Sequence, residues 1–223
     1  MTDSGENVLL SGLVASKICH DLISPVGAIV NGIELLEEVN PEDDNDMLAH
    51  TVQMIKSSAQ TASARLQILR ISLGASKLTN TMAVDEMFRL ILELTKCLGN
   101  GAIVLETKSN VDVLSNDYAK LLLNLAIMVS DTLIRGGKLF VDLRKDNKTT
   151  YIEITATITS EKPIFPPRGI PVLEKGAILE KMESSDVEPY ICHKIIARHS
   201  GNLTLKMDTF TFSAQVTLRN ILQ

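Results

Sequence analysis

His20 and Asp21 stand side by side in the stretch CHDLISPVGA, residues 19–28, with Pro25 five positions after the histidine. A neutral imidazole is a competent nucleophile near pH 7, where a serine hydroxyl needs a base to activate it. The neighbouring carboxylate can bias the ring tautomer or hold its orientation, although consecutive side chains on an ideal helix point roughly 100° apart. The chemistry on offer is attack by a ring nitrogen on a group presented from outside.

That chemistry requires an exposed ring. Apolar residues recur at Ile18, Leu22, Val26, Ile29, Ile33 and Leu36, the steps of three and four that mark one face of a helix over about residues 8–39. The stripe fills an arc of about 80°, and His20 points about 160° from its centre, toward solvent. Ser24, Gly27 and Asn31 lie on the histidine's side, one to three turns on. They form a small or polar collar that leaves room for another protein. Pro25 has no N–H and its ring pushes on the carbonyl of Asp21, so the backbone loosens beside the histidine. Alternatively, Pro25 curves the helix around its core, and Gly27 lets a neighbouring helix approach.

A loop, NPEDDN, follows at residues 40–45, with Asp44 or Asp46 as caps for a second helix. That helix carries a three-four seam at Val52, Ile55, Ala59, Ala62, Leu66, Leu69 and Leu73, and stops at Gly74. A two-helix hairpin cannot enclose a core. Either a second copy completes a four-helix bundle, making a homodimer, or the hairpin packs on the rest of its own chain. After the polar linker ASKLTNTM the pattern changes. Helices are expected over 84–98, 116–134 and 188–201, and strands at AIVLE, KLFVDLRK, TTYIEITATI, NLTLKM and FTFSAQVTL, with a turn at Asp146-Asn147. Four prolines make SEKPIFPPRGIP a loop, followed by a weak helical patch. The class is α+β: a hairpin over residues 1–76, then an α/β sandwich over 77–223 with helices on one face of a sheet.

CHDLISPVGAIVNGIELLEE resembles the H-box of two-component histidine kinases, where His-Asp/Glu precedes a proline and an ELL segment. Its finer pattern is similar to the ChpT-type histidine phosphotransferases of alphaproteobacteria. The resemblance implies a degenerate histidine-kinase ATPase-like (Bergerat-type) sandwich after the hairpin. It implies that His20 accepts a phosphoryl group from a receiver aspartate and passes it on, with Asp21, Ser24, Pro25, Gly27 and Asn31 in supporting or receiver-docking roles. The partners it implies are the receiver domain of a hybrid histidine kinase of the CckA type and response regulators of the CtrA and CpdR types. Magnesium would come with the receiver, and the chain would need no cofactor of its own.

The runner-up is an ATP-dependent histidine kinase with a divergent nucleotide site; a third reading is a scaffold that binds receivers without taking phosphate. LLLNLAIMVSD resembles the kinase N-box, but with Asn124 as its first asparagine the magnesium-binding second one is replaced by Met128, whose thioether is a poor ligand for a hard cation. The Asp-x-Gly-x-Gly expected after YIEITATI is TSEKPIFPP, and no Gly-rich lid precedes EPYICHKIIARHSG, whose HSGNL end resembles the family's HGG turn.

The rest of the composition excludes other classes. A net charge of -5 over 223 residues gives no footprint for nucleic acid. Cys19, Cys97 and Cys192 are odd in number and far apart, as reduced cytosolic thiols would be. The N-terminus lacks the basic start of a signal peptide, and no run is expected to span a membrane, so a cytoplasmic protein is anticipated. Cys19-His20 and Cys192-His193 offer one metal ligand each on a helix, and no metal site is expected. His50, His193 and His199 read as helix-surface or helix-end residues.

Overall fold

The computed structural model describes residues 3–38, 45–74, 80–98 and 102–219. Helix α1 (Asp3–Glu38) runs unbroken through Pro25, and α2 (Asn45–Ser72) returns along it. Gly32 lets them meet: a Cβ there would lie 2.5 Å from Ile55 Cγ1. Asp46 stands in the first turn of α2, and Asp44 lies outside the described residues.

The second half contains β1 (Thr81–Ala83), α3 (Val84–Cys97), β2 (Ile103–Ser109), β3 (Val113–Ser115), α4 (Asn116–Ser130), β4 (Gly137–Lys145) and β5 (Thr149–Thr157). It continues through α5 (Ile170–Lys175), α6 (Val187–Arg198), β6 (Asn202–Met207) and β7 (Thr211–Arg219). Five strands form one sheet in the order β2-β4-β5-β7-β6, antiparallel except for the β2–β4 pair. On β5, Thr150, Ile152, Ile154 and Ala156 are buried while the residues between them are half-buried, so one face packs against helices. The Asp146 carboxylate accepts from the backbone N–H groups of Lys148 and Thr149, fixing the expected hairpin turn. Strands β1 and β3 pair with each other and escape the sequence reading, because three residues are too few to show a period. The supposed linker therefore ends in a strand.

Part of the hairpin packs on the rest of its own chain. Its base belongs to its own chain: Ile68 and Leu69 are buried in the core that includes α3 and α4. Val52 and Leu66, on the same seam, remain 50% and 48% exposed. The start of α1 is also held, with Leu9, Leu10 and Leu13 packed against Leu179, Met182 and Tyr190. The stretch Gly5–Glu38 is long and apolar enough by composition to cross a membrane. Lys17 and Asp21 at its middle are paired with α2 and α6, and that arrangement belongs to a bundle helix.

Candidate functional site

His20 projects from α1 with 76% of its side chain exposed, as the helical phase requires. Asp21 does the opposite: its side chain is 5% exposed, and Oδ1 lies 3.2 Å from His20 Nδ1. The two side chains meet although helical spacing alone sends neighbours in different directions. A carboxylate only accepts, so Nδ1 carries the hydrogen, and the Nε2 lone pair is left facing outward. The arrangement is a pre-oriented nitrogen nucleophile.

Asp21 is itself held. Lys17, one turn earlier, places Nζ 3.0 Å from its carboxylate, and Arg65 of α2 reaches within 3.4 Å. Lys17 also lies 3.1 Å from Glu188 of α6, which is nearly sealed from solvent. Burial alone lowers the Lys17 ammonium, but the carboxylates of Glu188 and Asp21 outweigh it and hold the group above its ordinary value. Burial raises Glu188 above the usual carboxylate range, with Lys17 opposing the shift.

In front of the histidine lies an open cavity of about 620 Å³ between the two hairpin helices. Ser24 and Pro25 line it beside His20 and Asp21; Pro25 is buried and Ser24 exposed. Gly27 and Asn31 do not line this cavity, although a Cβ on Gly27 would meet open space. The other wall is α2, through Gln53, Ser57, Thr61 and Arg65. These polar residues recur every four positions, a signal present in the sequence but masked by the apolar seam beside it. Lys96 and Cys97, at the end of α3, reach the same cavity through folding alone.

The asparagine that resembles an N-box ligand has a different task. Asn124 is fully buried, and its amide donates to the carbonyls of Ser72, at 3.1 Å, and Lys120, at 2.9 Å. Met128 is 6% exposed within the core. Neither residue fits a magnesium-nucleotide site. Where a nucleotide lid would precede α6, α5 and two 3₁₀ turns are packed down, with Leu173, Leu179 and Met182 buried. Of the remaining histidines, His193 Nδ1 lies 3.1 Å from the Leu173 carbonyl and His199 Nε2 lies 2.9 Å from Asp117, while His50 is exposed. Among the described residues there is no cluster of metal-ligating side chains.

A family model described as the histidine phosphotransferase C-terminal domain matches residues 92–209. The chain is 35% identical over 217 residues to the protein phosphotransferase ChpT of Brucella abortus (strain 2308), covering 92% of this chain and 95% of that one. The chain belongs to the histidine phosphotransferase family. Its fold also matches a solved bacterial phosphotransferase with a TM-score of 0.76 and 28% identity, over 93% of this chain and 95% of the other. Protein phosphotransfer is therefore the activity of this chain, and the hairpin with its α/β sandwich is the ChpT-type architecture.

Proposed function

We propose that His20 is the phosphoacceptor of a phosphorelay, taking the phosphoryl group from the aspartyl phosphate of one receiver domain and returning it to the aspartate of another. One observation carries this reading: an exposed imidazole whose Nδ1–H is engaged by a buried carboxylate, so that Nε2 alone faces a partner. An aspartyl phosphate is an acyl phosphate and already activated, so in-line positioning supplies most of the catalysis. As Nε2 attacks, the ring gains positive charge that Asp21 offsets. Magnesium arrives with the receiver, and this chain contributes no cofactor. The cavity beside His20, with Ser24 and Pro25 on one wall and α2 on the other, receives the receiver's loop. Gly27 and Asn31 extend the small-residue track along which the receiver settles. The receivers belong to a hybrid histidine kinase and to response regulators, in the cytoplasm.

The half-exposed apolar side chains Val26, Val30 and Ile33 of α1, with Val52 and Leu66 of α2, support a homodimer through a four-helix bundle. The test is incubation with a panel of phosphorylated receiver domains. Acid-labile phosphate should appear on the wild-type chain and be absent from His20→Ala. Undiminished labelling of a folded His20→Ala variant refutes the assignment.

A further inference from the structure

The ion pairs behind His20 do not end at the hairpin. We infer that the C-terminal domain orients the phosphoacceptor: Glu188 on α6 holds Lys17, Lys17 holds Asp21, and Asp21 holds the His20 ring. Lys17 and Glu188 are thus positioning residues for a reaction they do not touch. The inference rests on His20 as the acceptor.

Three features support it. Lys17 Nζ sits between its two carboxylates at nearly equal distances, 3.0 Å from Asp21 and 3.1 Å from Glu188. All three side chains are sequestered, with 12% of Lys17, 5% of Asp21 and 3% of Glu188 exposed, so the contacts are weakly screened. The apolar packing of Leu9, Leu10 and Leu13 on Leu179, Met182 and Tyr190 fixes α1 against the domain that carries α6. A sandwich without a fitting nucleotide site then keeps a task in transfer.

The charges facing the site come from every surrounding element. Lys17 and Asp21 lie on α1, Arg65 on α2, Asp131 just after α4, Arg168 in the loop before α5 and Glu188 on α6. Lys96, at the end of α3, adds a cation on the cavity side. In the reaction the Nε2 lone pair forms the N–P bond while the P–O bond to the donor carboxylate breaks, and that carboxylate leaves with the electron pair. Nδ1–H stays on Asp21 while the ring is cationic, and its proton then passes to water. Removing Lys17 leaves excess negative charge beside the ring and favours its protonated, non-nucleophilic form. Removing the charge of Glu188 does the reverse and also leaves Lys17 to draw Asp21 away from Nδ1.

The test uses the full chain with phosphoramidate, a small donor whose P–N bond breaks to release ammonia and which needs no receiver docking. Rates of His20 phosphorylation are measured across pH for wild type, Lys17→Met and Glu188→Gln. The acid limb should move to higher pH in Lys17→Met and to lower pH in Glu188→Gln, each by about half a unit, roughly threefold in rate at fixed pH on that limb. Both variants should also lose roughly tenfold in plateau rate as the ring loses its orientation. In an Asp21→Asn background neither change should cost anything further. Nitrogen NMR of the His20 ring should show the Nδ1–H tautomer in wild type and a shift toward Nε2–H in both variants. Limbs that move in the same direction or not at all, full effects persisting in Asp21→Asn, or an unchanged tautomer would overturn the inference. Glu188→Gln is isosteric, so the tests survive even if Lys17→Met does not fold. A wild-type chain that is not phosphorylated on His20 would defeat the acceptor assignment instead, and the tautomer measurement would still judge the ion-pair chain.

Discussion

Asn124→Asp separates a buried clamp from a remnant cation ligand. In the folded protein the amide of Asn124 gives hydrogen bonds to the carbonyls of Ser72 and Lys120, and the residue has no exposure. A carboxylate in that place turns two attractive contacts into acceptor facing acceptor. Protonated, it recovers one of the two bonds, and the lost bond costs about 1 kcal/mol. Staying protonated at pH 7 against an ordinary value of about 3.9 costs roughly 4 kcal/mol, at 1.36 kcal/mol per unit. The total is about 5 kcal/mol at pH 7 and about 2.5 kcal/mol at pH 5, set against the 5–15 kcal/mol typical of a whole domain. The sign follows from linkage: the introduced carboxyl has its folded pKa raised, so stability is lost as pH rises through the range above its unfolded value. Urea unfolding followed by circular dichroism at pH 5 and pH 7 measures both numbers. A deficit under about 1 kcal/mol that does not change with pH would refute the clamp, since a single lost surface contact has that size and no pH dependence.

Further outcomes follow from the same geometry. Gly32→Ala puts a Cβ 2.5 Å from Ile55 Cγ1 and should destabilise the hairpin by about 1–3 kcal/mol in thermal unfolding, through overpacking. Gly27→Arg meets open space, so it should leave stability unchanged or raise it slightly, yet sharply slow transfer from receivers; unchanged transfer would show that receivers approach His20 from its other side. Leu66→Glu should give a monomer of 24.4 kDa in sedimentation where wild type gives twice that mass, because the substitution buries an unpaired charge in the proposed bundle. Burial by itself raises Asp117, but hydrogen bonds from His199 and Arg198 outweigh it and hold the carboxyl below 3.8. Its stabilisation is present above pH 3.8 and lost as pH falls through the lower folded value, so Asp117→Asn should flatten that part of the acid unfolding curve.

By itself the sequence determined the outward direction of His20, because helical phase is a local property and the stripe from Ile18 to Leu36 sets it without any partner. It determined the main strands in the same way: the alternation in Thr149–Thr157 and the Asp146 turn are written within a few residues. Motif likeness carried the family, and with it the phosphoryl chemistry. Tertiary structure decided whatever depends on residues far apart in the chain. Asp21, placed by helical geometry to point away from His20, nonetheless meets the ring while Lys17 and Arg65 hold its carboxylate. Glu188, more than 160 positions later, supplies Lys17 with its second anion. Lys96 and Cys97 arrive at the cavity only because α3 ends there, and Asn124 proves to be a clamp only once Ser72 is seen above it. Local sequence fixes dihedral preference and periodicity within a turn or two. The pairing of buried charges instead depends on which elements are brought together, and burial supplies the low dielectric that makes such pairings matter.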